Sequence, residues 1–236
     1  VNPRKLGAGE ALAEMSMTTD YDMRIVAPFS PSIIKATMPE AIVREINRRV
    51  DAIVERRDEV ARRDWSEHLA GVVTTEIRFT DIIHEMTEVR DFLYDVARTF
   101  AYRCENALMH YGDYERTEEL ASKKLEIQIK EGWINDMIAG DYNPAHFHQG
   151  CLFSSVGFLR VPQGYEEEFQ SDKARQNTVG CLQFIDSRSV VGARNLFVVK
   201  PVVGDFYLWP SWMLHCVYPF KSPGVRRSMA VNLSLA

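Results

Sequence analysis

Gly140-Asp141-Tyr142-Asn143-Pro144-Ala145-His146-Phe147-His148-Gln149-Gly150 is the stretch around which the chain is organised. It follows an apolar run (Trp133, Ile134, Met137, Ile138) and precedes another, Leu152 to Val161. On extended backbone, side chains repeat every second residue, so His146 and His148 project from one face. Two imidazoles aimed at one point suggest a metal, because imidazole is the commonest protein metal ligand near neutral pH. On this fragment alone, a surface loop carrying two histidines fits equally well.

Working outward, the period changes at Leu125. Leu125, Ile127 and Ile129 alternate with Glu126, Gln128 and Lys130, the pattern of a half-buried strand. Further short runs follow at 132–139, 152–161, 180–186, 195–200, 205–209, 215–218 and 227–234, separated by Gly, Pro, Asp and Ser. Short strands at this spacing predict a sandwich or barrel. The polar insert Gln163–Gln176 reads as a mobile loop, either a lid or a disordered segment.

Upstream the period is helical. Pro39 and Glu40 suit a helix beginning near Thr37 or Met38. Ile42, Val43, Ile46, Val50, Ile53 and Val54 form its buried stripe, with arginines on the solvated face. A second helix is expected over Glu88–Tyr111. His68 and His84 have no ligand-type neighbours and read as structural or exposed. The layout is a helical N-terminal part, 1–120, packing on a mainly β body, 121–236, in which helices cover one sheet of a double-sheet core. Residues 1–30 read as an irregular lead-in.

Composition narrows the function classes. A net charge of −5 over 236 residues gives no basic face for nucleic acid. No 18-residue apolar run predicts a membrane span. Four scattered cysteines lack a C-x-x-C pair, which argues against structural zinc and for reduced thiols in the cytoplasm. An oligomer is compatible with the arginine-rich helix.

The second half of the chemical signal runs from Gly204-Asp205 through Trp209-Pro210-Ser211-Trp212 to His215, then Arg226-Arg227-Ser228-Met229-Ala230-Val231-Asn232. On an extended final strand, Arg226, Ser228, Ala230 and Asn232 share one face. Met229, Val231, Leu233 and Leu235 share the core-like face. An Arg and a Ser two residues apart can grip one carboxylate, the guanidinium through two N–H groups and the hydroxyl through a third. Trp209 and Trp212 flank the His215 turn and read as core.

The order H-x-H, G-D-x-x-x-x-P, His, R-x-S over about 125–236 resembles the double-stranded β-helix (jelly-roll) oxygenases that use Fe(II) and 2-oxoglutarate. The resemblance implies a jelly-roll core and metal ligation by His146, His148 and His215. In the family the second ligand is usually Asp or Glu, and here that position is His148. Asp141 therefore stays open as an alternative ligand. The resemblance also implies 2-oxoglutarate binding by Arg226, eleven residues after His215, and by Ser228, with Arg227 second and Asn135 a further contact. The implied reaction couples O2 and 2-oxoglutarate to oxidation of a small-molecule or peptidyl substrate. Two readings from other classes stand beside it. One is a cupin-type metal enzyme that ignores 2-oxoglutarate; the other is a non-catalytic jelly-roll binding module.

Overall fold

The computed structural model describes residues 22–26, 32–68, 70–109, 125–171, 177–187 and 195–236. Among the described residues, eleven strands form two antiparallel sheets. In chain order they are β1 (Met23–Val26), β2 (Ile33–Thr37), β3 (Thr75–Arg78), β4 (Ile127–Met137), β5 (Asn143–His146), β6 (Phe153–Arg160), β7 (Leu182–Ile185), β8 (Leu196–Val199), β9 (Asp205–Pro210), β10 (Leu214–Val217) and β11 (Arg226–Leu235). The major sheet has the order β1-β2-β9-β6-β11-β4-β3, and the minor sheet β5-β10-β7-β8. The helices are α1 (Glu40–Val54), α2 (Arg57–Arg62), α3 (Thr80–Glu85), α4 (Thr87–Met109) and α5 (Tyr165–Ser171). This is a double-stranded β-helix with helices packed on one face.

The two faces of the major sheet differ because its strands alternate. Outward, Ile134 of β4, Met229, Val231 and Leu233 of β11, and Phe206 and Leu208 of β9 meet Ile42, Ile46 and Val50 of α1 and Val89, Leu93 and Val96 of α4 in the larger core. Burying a side chain of this kind is worth about 1.5–3 kcal/mol, so this layer carries much of the stability. Inward, Val156, Phe158, Tyr207 and Trp209 face Leu182 and Phe184 of the minor sheet in a smaller second core. That second core fills only part of the space between the sheets.

The N-terminal part is less purely helical than its pattern predicts. Ile33–Thr37 is a strand, and α1 starts at Glu40 with Pro39 as its N-cap rather than near Thr37. Met23–Val26, in the expected irregular lead-in, pairs with β2. Thr75–Arg78 pairs with β4. These strands are four or five residues long, too short for alternation to stand out. The two runs expected at 125–130 and 132–139 are one strand, β4, continuous through Gly132. The boundary expected near residue 120 and the end of the helix expected at Tyr111 lie outside the described residues.

The insert expected as a mobile loop contains α5. Tyr165 is buried, its hydroxyl donates to the Val179 carbonyl at 2.7 Å, and the Glu168 carboxylate accepts from the Lys221 and Ser222 amides at 2.8 and 2.7 Å. The acidic run Glu166-Glu167-Glu168 occupies the first turn of that helix, where its dipole favours negative charge. Residues 172–176 of the insert lie outside the described residues.

Candidate metal and cosubstrate site

Strand pairing brings the histidines together. His215 on β10 stands directly opposite His146 on β5. His148 follows just beyond β5, held by its amide donating to the Ser211 carbonyl at 3.0 Å. The ring centroids lie 4.3 Å apart for His146 and His215, 5.2 Å for His148 and His215, and 5.3 Å for His146 and His148. One nitrogen from each ring falls within 4.8 Å of the others, a cluster able to hold a metal ion.

The surroundings fix which nitrogens face inward. His146 Nδ1 lies 2.7 Å from the Pro144 carbonyl, and His215 Nδ1 lies 2.8 Å from the Met213 carbonyl. A carbonyl can only accept, so each Nδ1 is the protonated nitrogen and Nε2 is left with its lone pair. Burial pushes all three imidazoles below their ordinary pKa, His148 to about 4 and His215 well down, with neighbouring imidazoles adding repulsion for the latter two. The neutral form is the one that ligates. Trp133 stacks on His148 at 5.7 Å and Trp209 meets His215 edge-on at 5.0 Å, which limits how the rings can turn.

Asp141 is not in this cluster. Its Oδ2 accepts from the Thr74 and Ile138 amides at 2.7 and 3.0 Å, so its carboxylate closes a turn. Trp212 departs from its expected core position and is 61% exposed, while Trp209 is buried. His68 is exposed, one of the two states expected for it; it stacks on Trp65 at 3.9 Å and lines the same cavity as the three histidines. Its nearness to the cavity was not legible in the sequence because the link is a single 3₁₀ turn, Ser66–His68, beside the edge strand β3.

That cavity, about 340 Å³, is within the range of small-molecule sites. Its wall is the inner face of the major sheet. Asn232 sits beside the His148 ring, and Ala230, Ser228 and Arg226 follow back along β11 on the same face. The strand thus runs from the histidine cluster to the guanidinium. Asn135 stands opposite Ser228 on β4. The structure therefore brings all six expected site residues to one cavity.

Arg226 is 2% exposed and has no carboxylate partner among the described residues. Its Nε has no hydrogen-bond partner, its Nη1 lies 3.1 Å from the Met137 sulfur, and its guanidinium rests over Phe158 at 5.4 Å. Burial pulls its pKa down to about 10, so it stays charged at neutral pH. Asn135 Oδ1 is likewise buried without a partner. A buried unpaired cation is costly, and a ligand carboxylate would offset that cost. Arg227, on the opposite face, is satisfied: Nε and Nη2 donate to the two oxygens of Asp136 at 2.7 Å each, and Nη1 to Asp51 at 2.6 Å.

These features test whether iron and 2-oxoglutarate suit the residues present. Three neutral imidazoles suit iron, and an orphaned buried guanidinium suits a dicarboxylate reaching from the metal. They fit.

Residues 131–232 match the family model described as "Putative 2OG-Fe(II) oxygenase". The jelly-roll part of this chain is thus similar to the Fe(II)- and 2-oxoglutarate-dependent oxygenases. No curated protein sequence matches the chain. Among solved structures, an oxidoreductase of the 2OG-Fe(II) oxygenase family from Burkholderia pseudomallei is 21% identical, with a TM-score of 0.35 over 55% of this chain and 57% of that one. This chain therefore spans little more than half of that relative. The viral collagen prolyl hydroxylase of Paramecium Bursaria Chlorella virus-1 is 13% identical, with a TM-score of 0.45 over 92% of this chain and 96% of that one. A prolyl-4-hydroxylase from Pseudomonas putida is 15% identical, with a TM-score of 0.41 over 95% of each chain.

Proposed function

We propose that this protein is a non-haem Fe(II)- and 2-oxoglutarate-dependent dioxygenase of the hydroxylase type. The observation that carries the reading is Arg226, a buried guanidinium without an anionic partner among the described residues, in the wall of the cavity that also holds three imidazoles. His146, His148 and His215 would hold the metal. Arg226 and Ser228 would receive the far carboxylate of 2-oxoglutarate, with Asn135 beside them. When bound, iron with 2-oxoglutarate supplies the activation of O2 that oxidises a substrate C–H bond, with succinate and CO2 as coproducts.

The chain's own residues do the positioning. The Pro144 and Met213 carbonyls orient two of the imidazoles, and the Trp133 and Trp209 rings confine His148 and His215. Phe158, Leu182 and Trp209 exclude water from the inner end, which strengthens the contact of Arg226 with a carboxylate. The division near residue 120 would separate the oxygenase module from an extension whose helices cover the major sheet and whose strands β1, β2 and β3 form its edges. The protein would work in the cytoplasm, where free thiols such as Cys151, Cys181 and Cys216 stay reduced. No helix among the described residues is long and apolar enough to cross a membrane.

The test is 2-oxoglutarate affinity by calorimetry on Mn(II)-loaded protein without O2. Removing the partner of a buried carboxylate costs about 3–5 kcal/mol, or roughly two to three and a half decades in affinity. Arg226→Ala should show that loss and still bind Mn(II), whereas His215→Ala should lose the metal. If the parent ignores millimolar 2-oxoglutarate while binding the metal, the cupin-type reading replaces this one.

A further inference from the structure

One charged group on the inner face of the major sheet, next to the cavity lining, has no part in holding metal or 2-oxoglutarate. Residues face to face across the major sheet form a row: Trp65 beside Glu76, Glu76 opposite Asn135, Asn135 opposite Ser228, and Ser228 opposite Phe158. Directly opposed residues of an antiparallel pair share a face, with Cβ atoms about 4.5–5.5 Å apart. Trp65 and Asn135, on either side of Glu76, both line the cavity. Glu76 therefore shares that inner face, buried between two residues of the cavity lining.

Its state is unusual for an acid. Glu76 is 6% exposed, its Oε1 has no hydrogen-bond partner, and it makes no ion pair among the described residues. Arg78 lies on the same face two residues on, but its guanidinium stacks over Trp65 at 5.3 Å and forms no ion pair with Glu76. The charges that act on Glu76 are the like-signed Asp64 and Asp141. With burial as the larger cause, they push its pKa up to about 7. Glu131 adds a further acid at the exposed rim of the cavity. A buried carboxylate left without a cation is the complement of a positively charged nitrogen.

We infer that Glu76 is a specificity-determining residue, and that the primary substrate presents a cationic nitrogen, ammonium or guanidinium, to its carboxylate. The inference rests on the oxygenase reading only in taking the occupant to be the substrate. Binding of the cation would drive Glu76 to its ionised form, so near neutral pH the complex releases part of a proton.

The probes are N-acetyl-lysine methylamide, N-acetyl-arginine methylamide and the neutral N-acetyl-norleucine methylamide. Each is titrated calorimetrically into the Mn(II)- and 2-oxoglutarate-loaded protein without O2. The expected result is that at least one cationic probe binds tenfold or more tightly than the neutral one. Titrations in buffers of different ionisation enthalpy should show proton release. Glu76→Gln should abolish the tenfold preference while keeping Mn(II) and 2-oxoglutarate affinity, and Glu76→Asp should restore part of the preference. A smaller preference in the parent, no binding of either cation, or a preference kept in Glu76→Gln overturns the inference. So does a loss of 2-oxoglutarate affinity in Glu76→Gln, which would make Glu76 a positioning residue for Asn135. The comparison in the parent needs no variant to fold. Failure of the parent to bind 2-oxoglutarate at all is a different result and counts against the oxygenase reading.

Discussion

Strand β11 carries two consecutive arginines, each about 2% exposed, and gives one to each face of the major sheet. Arg227 points outward into a closed network. Asp136 grips it from β4, Asp51 and Asn47 reach it from α1, and Arg160 of β6 holds the same Asp51 at 2.9 Å. Arg226 points inward, and its nearest described company is a thioether and a phenyl ring. On the outer face Arg227, Asp136, Asp51 and Arg160 answer one another, as a layer that ties a helix to a sheet requires. The inner face holds Arg226, Asn135 and Glu76, each with an unanswered polar atom. Unpaired buried groups cost stability, so such a collection marks the face that meets ligands.

The largest expected effect breaks the pair apart by stability. Arg227→Ala leaves Asp136 buried without its cation, which costs about 3–5 kcal/mol, a large share of a typical total of about 5–15 kcal/mol. Arg226→Ala removes a charge that has no partner in the ligand-free protein, so its stability should stay level or rise. Urea unfolding of both variants without metal or cosubstrate checks this. Equal destabilisation would mean that the two faces do not differ as described.

This contrast was partly legible in the sequence. A period of two assigns Arg226 and Ser228 to one face and Arg227 to the other, because alternation depends only on local backbone. The histidines were legible for a similar reason, since H-x-H and the later His215 keep their order on strands whose apolar runs are plain. Distinguishing His148 from Asp141 needed three dimensions, because only the fold shows Asp141 spent on the Thr74 and Ile138 amides. Glu76 was not legible. It lies in a four-residue edge strand between helical segments, and its place on the inner face comes from pairing with a strand some sixty residues away. The signal that could have found it was Thr75-Glu76-Ile77-Arg78 itself, a short alternating run.

The next effect is smaller and depends on pH. An acid whose pKa is raised in the fold binds more protons folded than unfolded between its two pKa values. Stability from this group is therefore greatest below about 4.5 and is lost as the pH rises through about 7. That gap corresponds to about 3 kcal/mol. Glu76→Gln cannot titrate and escapes the loss. The difference in unfolding free energy between variant and parent should thus move in favour of the variant by about 3 kcal/mol from pH 4.5 to pH 8, all other titrating groups cancelling. A difference that stays flat across this range would mean that Glu76 is solvated and answered, and would return it to the outer face's kind of chemistry.

The smallest effect concerns Ser228, which shares the inner face with Arg226 and stands between Asn135 and Phe158. Its hydroxyl is buried but carries no charge, so it adds one donor to a carboxylate already held by the guanidinium. One hydrogen bond to a charged group is worth about 1.5–3 kcal/mol, and the serine's share is at the lower end because Arg226 dominates the same oxygens. Ser228→Ala should therefore weaken 2-oxoglutarate by about 1–2 kcal/mol, roughly five- to thirtyfold, with Mn(II) affinity and urea stability close to the parent's. Combining it with Arg226→Ala sharpens the comparison. If both side chains hold one carboxylate, the double variant loses less than the sum of the two single losses, because neighbours that share a partner are not additive. Strict additivity would mean that the two contact different groups of the cosubstrate.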